Sequence, residues 1–214
     1  MVLYDGAMVT QATLPDEAVD MTASELHQYV LNRLVDVLRL ILGDAALVLQ
    51  EMFVRVSDGS NPPDQVSADV MILPGARPGT RTVYRVPAEP VPAVTIEVLS
   101  AANYKGDGRD DLIHKRAMFG RIGVRTHIEI DPERGQVTAW VGDGSALVVG
   151  EPANRYDGEA LGGLSIELEP GQVRLWLPNG QEFTDAATEL TQANERAARL
   201  AAALRQAGID PESV

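Results

Sequence analysis

Two carboxylates stand where the surrounding residues predict buried strands. Asp69 lies inside the apolar run VSADVMIL, and Glu97 lies inside AVTIEVLS; both runs have the length and content of interior strands. An ionised carboxylate is costly to bury unless a partner, a metal or water compensates it. If the two strands pair, the acids can converge on one side of a sheet, where a hard divalent ion such as Mg²⁺ would bind. The alternative for each acid is a strand end that reaches solvent.

A lysine provides a third candidate. Apolar residues recur at helical spacing over residues 110 to 121, and Lys115 falls inside their stripe. An inward lysine is unexpected. The alternative is an intrahelical pair with Asp111 at i, i+4, worth about 0.3 to 0.5 kcal/mol on an exposed surface.

The charge balance restricts how the chain could meet nucleic acid. Its 214 residues include 18 Lys and Arg against 31 Asp and Glu, a formal net charge of -13. This balance argues against broad electrostatic adhesion to nucleic acid, so a nucleic-acid enzyme would need a local basic patch. Lys105, Arg109 and Arg116 belong to a basic stretch that could line a substrate groove, although a solvated helix face explains it equally well.

Composition also bounds the compartment and the chemistry. The chain has no cysteine, which excludes disulfides, thiolate zinc sites and a cysteine nucleophile. No secretory signal is visible at the start, so we expect a cytoplasmic protein. The apolar region over residues 30 to 49 is interrupted by charged residues, which argues against a membrane span.

The elements that must position the candidates predict an α/β protein with one main domain. Residues 1–20 lack a sustained period and are expected to form an extended arm with at most a short strand. The domain is expected over residues 21–184, with a long Pro- and Gly-rich loop as a flap beside the site. Its predicted elements are a helix over 21–42, strands over 47–56, 66–73, 93–100 and 124–131, an edge strand over 82–86 and a helix over 110–121.

Four later apolar segments are predicted to form strands. They cover residues 136–142, 145–150, 162–169 and 173–178. The first two read as a hairpin. We expect the last two to complete an antiparallel second part of the same sheet.

Histidines and further acids have simpler interpretations. His127, Glu129 and Asp131 share one face of their predicted strand. Without a fourth residue at ligand spacing, a polar outward face is favoured over a metal cluster. His27 lies near the start of the first helix and is expected to be a surface or capping residue rather than part of a site.

The tail over residues 185–214 is predicted to be a helix. Apolar residues recur there at alternating spacings of three and four until Gly208 and Pro211 end the pattern. Docking on the parent domain and a short homodimeric coiled coil both remain open.

The order of these motifs resembles a known family. SAD, then IEVLS, then DLIHK and a strand ending in Asp131 are similar to the bacterial Putative restriction endonuclease family within the PD-(D/E)XK nuclease superfamily. The resemblance covers roughly residues 26–131, and the C-terminal helix loosely. It implies a restriction-endonuclease-like α/β fold: a mixed central β-sheet flanked by helices, with a C-terminal helix.

The resemblance also implies metal ligands. Asp69 matches the acid of the PD element, with Ala68 in place of the usual proline, and Glu97 matches the acid of the (D/E)XK element. Together with the carbonyl of Val98, these acids are implied to hold Mg²⁺ or Mn²⁺.

The resemblance assigns the lysine to the helix. The usual lysine two residues after the acid is absent, and Leu99 stands in its place. In this family the lysine is taken to come from the following helix, which implies Lys115 as the catalytic lysine and Asp111 as the residue that positions it.

The function implied is metal-dependent hydrolysis of phosphodiester bonds by an endonuclease, with DNA as substrate and Arg116, Arg109 and Lys105 as substrate contacts. A homodimer, through the C-terminal helix, is the expected assembly. One alternative is a non-catalytic nuclease-fold protein that binds or assembles, which the acidic balance and the tail support. A second is hydrolysis of a small phosphorylated molecule, which fits the acidity better but has no separate motif.

Overall fold

The structure is a computed structural model that describes residues 9–10, 20–21, 23–57, 64–144, 146–184, 199–200 and 204–205. Two long helices are set among the strands of the described residues. In chain order they are β1 (Val9–Thr10), β2 (Asp20–Met21), α1 (Ala23–Leu42), β3 (Ala46–Val56), β4 (Asp64–Pro74), β5 (Tyr84–Val86), β6 (Val94–Val98), α2 (Gly106–Ile122), β7 (Thr126–Asp131), β8 (Gln136–Gly142), β9 (Leu147–Val149), β10 (Arg155–Gly158), β11 (Leu164–Glu169) and β12 (Gln172–Trp176).

A seven-stranded mixed sheet forms the centre of the described chain. Its strand order is β5-β3-β4-β6-β7-β8-β9. β4 runs antiparallel to both β3 and β6, whereas β6 and β7 are parallel. The predicted α/β fold with a mixed central sheet flanked by helices is confirmed.

Helix α2 makes the crossover between the parallel strands β6 and β7. Parallel neighbours cannot be joined by a tight hairpin, so the chain must cross one face of the sheet between them. Gly123 ends the helix in the left-handed conformation, with φ 89°, and its N–H bonds back to the carbonyl of Gly120. This sharp stop lets β7 begin three residues later, beside β6.

Helix α1 covers the opposite face of the sheet and builds an apolar core there. The amphipathic stripe expected from the sequence supplies the helix side of this core. The buried residues at its centre are Leu26, Leu34 and Leu38 from α1 and Val70, Ile72, Ile96, Ile128 and Ile130 from the sheet.

The last strands form a separate three-stranded antiparallel sheet, in the order β10-β11-β12. The expectation that the segments containing β11 and β12 extend the central sheet is therefore wrong. Their alternating apolar residues, Leu164, Ile166, Leu168, Val173 and Leu175, belong to the α1 core instead. The physical reason is that these strands cover the α1 core as a further apolar layer. Their alternating sequence would be the same if they joined the central sheet, so it does not distinguish the two arrangements.

The termini are described only in part. In the predicted N-terminal arm, β1 and β2 pair antiparallel, with Val9 opposite Met21, and the rest of residues 1–19 lies outside the described residues. Residues 199–200 and 204–205 are helical. The remainder of the predicted C-terminal helix over 185–214 lies outside the described residues. Among the helices that the structure describes, none is both long and apolar enough to cross a membrane.

Candidate active site

Asp69 and Glu97 lie on neighbouring strands at the same level of the sheet. β4 and β6 are antiparallel with Val70 opposite Ile96, so Asp69 falls opposite Glu97 one step along. The Asp69 Oδ2 accepts a hydrogen bond of 2.8 Å from the backbone N–H of Val98. The structure thus brings together the two strand acids and the Val98 backbone.

Lys115 reaches the same place from α2. Its Nζ lies 2.7 Å from the Glu97 Oε2, and only 7% of Lys115 and 3% of Glu97 are exposed. The Asp111 Oδ2 lies farther away, at 3.5 Å from Nζ, on a side chain that is mostly exposed. Lys115 therefore pairs with the buried Glu97 on the sheet as well as with Asp111 on its own helix. The alternative of an exposed intrahelical pair with Asp111 does not by itself account for its position.

The three charged groups are electrostatically coupled. Burial, and secondly the charge of Asp69, raise the pKa of Glu97 to about 8. Burial also raises the pKa of Asp69, and the Val98 N–H partly offsets it. Burial opposes the charged form of Lys115, but Glu97 outweighs it and the pKa of the ammonium is raised. A cation near both carboxylates would relieve the repulsion between them.

The donor set suits a divalent cation. The Glu97 Oε1 is buried and has no hydrogen-bond partner among the described residues, so one carboxylate oxygen is left for a ligand. Within the described part of the chain, no three acidic, histidine or cysteine side chains come together in a metal-binding cluster. Two neighbouring carboxylates suit Mg²⁺, which commonly takes one or two carboxylates and completes its shell with water and substrate oxygens.

A second ion pair lies beside the first. Arg116 follows Lys115 on α2, and Glu129 is the register partner of Glu97 on the adjacent parallel strand. The Arg116 Nε and Nη2 lie 2.5 and 2.7 Å from the two carboxylate oxygens of Glu129. The guanidinium also sits 4.4 Å from the ring centroid of Trp140. Consecutive cations of one helix therefore pair with acids on consecutive strands.

The expectation of a polar outward face on β7 is wrong. His127 is fully buried, and Glu129 and Asp131 are each 5% exposed, because α2 and the turn before it cover this face. His127 Nδ1 is 2.9 Å from the hydroxyl oxygen of Thr95, and the Tyr104 hydroxyl donates to Asp131. A strand in a parallel βαβ unit is usually covered on both faces. The alternating sequence HIEID does not show this, because the same pattern also occurs in strands with one exposed face.

His27 lies nearer to the site than its position on α1 indicated. Its charge is one of those that lower the pKa of Asp69, against the larger raising effect of burial. The Nδ1 of His27 is buried without a hydrogen-bond partner among the described residues. Its position near the site was not predicted, because a lone histidine near the start of a helix is usually a surface or capping residue.

The predicted basic contacts occupy different surroundings. Arg109 and Arg116 line a cavity of about 370 Å³ on the side of α2 away from Asp69. Lys105 is exposed and directly precedes α2. Tyr104 and Arg134 also line the cavity. They lie in short connecting segments whose sequence carries no recognisable motif, so sequence reasoning does not find them.

Comparison with known proteins agrees with the family inferred from the residues. The family model described as "Uma2: Putative restriction endonuclease" matches residues 12–169, well over half of the chain. The chain is also similar to a solved structure of a putative nuclease belonging to DUF820 from Anabaena variabilis ATCC 29413, with 12% identity, a TM-score of 0.45, and coverage of 72% of this chain and 78% of that chain. No curated protein matches the sequence. With Asp69, Glu97 and Lys115 drawn together on one face of its sheet, the chain belongs to the Uma2 family of putative restriction endonucleases.

Proposed function

We propose that this protein is a metal-dependent endonuclease that hydrolyses phosphodiester bonds in DNA. The observation that carries the proposal is the buried pair of Glu97 and Lys115, 2.7 Å apart, on the strand next to Asp69. Buried charges are costly, and a cluster of them at one point of a sheet is typical of a functional site.

The metal would be held by Asp69, Glu97 and the carbonyl oxygen of Val98. Support comes from the buried, unpartnered Oε1 of Glu97 and from the mutual repulsion of the two carboxylates. When bound, Mg²⁺ or Mn²⁺ supplies a Lewis acid for the phosphodiester and lowers the pKa of a water molecule.

The chain's own groups have separate roles in this proposal. Lys115 donates hydrogen bonds to the attacking water or to the phosphoryl oxygens, where negative charge develops. Asp111, one helical turn earlier, positions the ammonium group of Lys115. The Val98 N–H fixes one oxygen of Asp69 and thereby orients the other.

Contact with the DNA backbone is proposed for Arg109, Lys105 and Arg116. The net charge of -13 requires such contacts to be local, because the protein as a whole repels a polyanion.

A homodimer through the C-terminal helix belongs to the same proposal. Sedimentation velocity of the full chain tests it, and a monomer at all concentrations would exclude it.

A cleavage assay tests the catalytic assignment. The full chain is incubated with double-stranded DNA, single-stranded DNA and RNA in Mg²⁺, Mn²⁺ or EDTA. We expect metal-dependent cleavage of DNA that falls about 10²- to 10³-fold in Asp69→Asn and in Lys115→Met. Asp36→Asn and Arg125→Gln alter exposed residues away from the site and serve as matched controls. Cleavage that survives either site variant excludes the assigned site.

A titration with Mn²⁺ separates this function from a non-catalytic binding or assembly role. If the metal site is real, the wild-type protein gives a binding heat in calorimetry and Glu97→Gln loses it. A wild-type protein that gives no heat favours the nuclease-fold binding protein over the enzyme.

A further inference from the structure

A cavity adjoins the proposed catalytic site on the β7 and β8 side of α2. Its volume is about 370 Å³, within the range of about 300 to 1,000 Å³ typical of small-ligand clefts. Glu129, which lines it, is the register partner of Glu97, and Leu99 follows Glu97 by two residues along the same chain. The cavity therefore begins about one strand spacing, roughly 5 Å, from the catalytic acid.

The charges of the lining favour an anion. Three arginines face two carboxylates across the cavity. Arg116 pairs with Glu129 through its Nε and Nη2. Arg134 stacks 3.7 Å from the ring centroid of Tyr104, with its Nε 3.8 Å from the Oδ2 of Asp131. The two carboxylates thus already have cationic partners, and the excess positive charge belongs to the third arginine.

That third arginine is Arg109. No other residue that the structure describes forms a hydrogen bond or ion pair with its side chain. An unpaired guanidinium beside a cavity is a ready donor for a phosphate, which it can bind through two parallel hydrogen bonds.

The helix also gives the cavity an apolar wall. Arg109, Leu112, Ile113 and Arg116 follow one another at i, i+3, i+4 and i+7, so they share one face of α2. Leu112 and Leu99 are buried apolar residues of the lining. A cation next to an apolar wall matches a nucleotide, which combines an anionic phosphate with a flat base whose ring faces pack against apolar side chains.

We propose that this cavity binds a nucleotide unit of the substrate strand beside the bond that is cut. Arg109 holds its phosphate, and Leu99 and Leu112 contact its base or sugar. The proposal rests on the proposed function, because the ligand is the substrate of that same site. It adds a subsite and identifies Arg109 as its main determinant.

Binding without metal tests the subsite independently of catalysis. A fluorescently labelled single-stranded DNA oligonucleotide is titrated with the full chain in EDTA, and a deoxynucleoside monophosphate or inorganic phosphate is added as competitor. We expect Arg109→Gln to raise the Kd about tenfold or more, because a charge-assisted hydrogen-bonded contact is lost. The mononucleotide should compete better than inorganic phosphate, since only it also fills the apolar part.

Arg125→Gln is the matched control. Arg125 is exposed and lies just before β7, at the end of that strand away from Asp131, so its loss changes the net charge equally but leaves the cavity intact. We expect its Kd to stay within twofold of wild type. Gln136→Trp, at an exposed lining position on β8, should weaken binding by filling the cavity without changing any charge.

The outcomes separate this proposal from the catalytic one. Equal Kd values for wild type, Arg109→Gln and Arg125→Gln, or no binding at all by the wild type, overturn the subsite. A protein that binds through Arg109 but cleaves nothing in Mg²⁺ or Mn²⁺ keeps the subsite and loses the nuclease assignment. A protein that cleaves DNA with an unchanged KM in Arg109→Gln keeps the nuclease assignment and loses the subsite.

Discussion

At strands β6 and β7, the two faces of the central sheet are built from the same strands but carry opposite chemistry. Towards α1, strands β6 and β7 present the buried apolar residues Val94, Ile96, Val98, Ile128 and Ile130. Towards α2, the alternate residues of the same strands are Thr95, Glu97, His127, Glu129 and Asp131, all buried. Because successive strand residues point to opposite faces, two short strands supply a core and a candidate site together.

The two covering helices differ in the same way. α1 inserts leucines and valines into its face of the sheet, and burial of such side chains stabilises the fold by about 1.5 to 3 kcal/mol each. α2 packs Met118 and Phe119 into a second apolar cluster with β3, β4 and β5. Against β6 and β7, however, it places Lys115 and Arg116, which pair with Glu97 and Glu129. Buried ion pairs roughly break even against their desolvation cost. The comparison teaches that, over β6 and β7, the α1 face provides stability, whereas the α2 face is retained for its chemistry.

The largest expected effect comes from breaking the apolar face at Ile96, the residue next to Glu97. Ile96 is fully buried in the α1 core, so Ile96→Ala should lower the free energy of unfolding by about 2 to 5 kcal/mol through lost burial and a residual cavity. Urea unfolding measures this loss. Because the side chain points away from the site, cleavage per folded molecule should stay near the wild-type value.

A milder variant keeps this prediction testable if Ile96→Ala fails to fold. Ile96→Val should cost about 0.5 to 1.5 kcal/mol and leave activity unchanged. If Ile96→Val keeps full stability but loses cleavage, the two faces are not separate in function and the comparison fails.

The sequence predicted most of this architecture because both faces leave local signals. The apolar period of α1 and the strand patterns of β3, β4 and β6 are each visible within their own segment. Asp69 and Glu97 stand out because acids are depleted in strands. Lys115 stands out because it interrupts an apolar helix stripe.

The remainder depends on contacts that no single segment contains. The strand HIEID gives the same alternating pattern whether its polar face meets water or a helix, so the burial of His127 was not predictable. The pair of Arg116 with Glu129 depends on the β6 and β7 register. The separate sheet of β10, β11 and β12 depends on which apolar surface the α1 core leaves to be covered.

A second prediction concerns the Arg116 and Glu129 pair on the polar face. Arg116→Met leaves the carboxylate of Glu129 buried without its bidentate partner, which should cost about 2 to 4 kcal/mol. Glu129→Met should cost less, because the Arg116 side chain is 25% exposed and can turn to solvent. The double variant removes both charges and should recover most of the loss.

Urea unfolding of the two single variants and the double variant measures the coupling between these residues. Additive losses in the double variant would mean that the pair does not act as a unit. In that case the positions of Lys115 and Arg116 on α2 would be set by the apolar contacts of the helix and not by its ion pairs.

The smallest expected effect is a pH dependence that only the polar face can have. Burial lowers the pKa of His127 below its usual value of about 6.5, with Glu129 acting in the opposite direction and Arg116 and Lys115 adding to the lowering. Below about pH 6.5, His127 is therefore protonated in the unfolded chain but stays neutral in the folded protein until the pH falls further. The contribution of His127 to stability is complete above that pH and is lost as the pH falls.

Unfolding free energies at pH 7.5, 6.5 and 5.5 test this sign. His127→Asn should flatten the decline in stability below pH 6.5 by at most about 1.4 kcal/mol per pH unit, the value for one proton. Arg125→Gln, at an exposed position just before β7, removes no group that titrates in this range and should leave the slope as it is in the wild type. An unchanged slope in His127→Asn would mean that protonation of this imidazole is tolerated beneath α2. The α2 face of β6 and β7 would then admit enough water to solvate a charge. It would differ from the α1 face in the residues it carries but not in how well it excludes solvent.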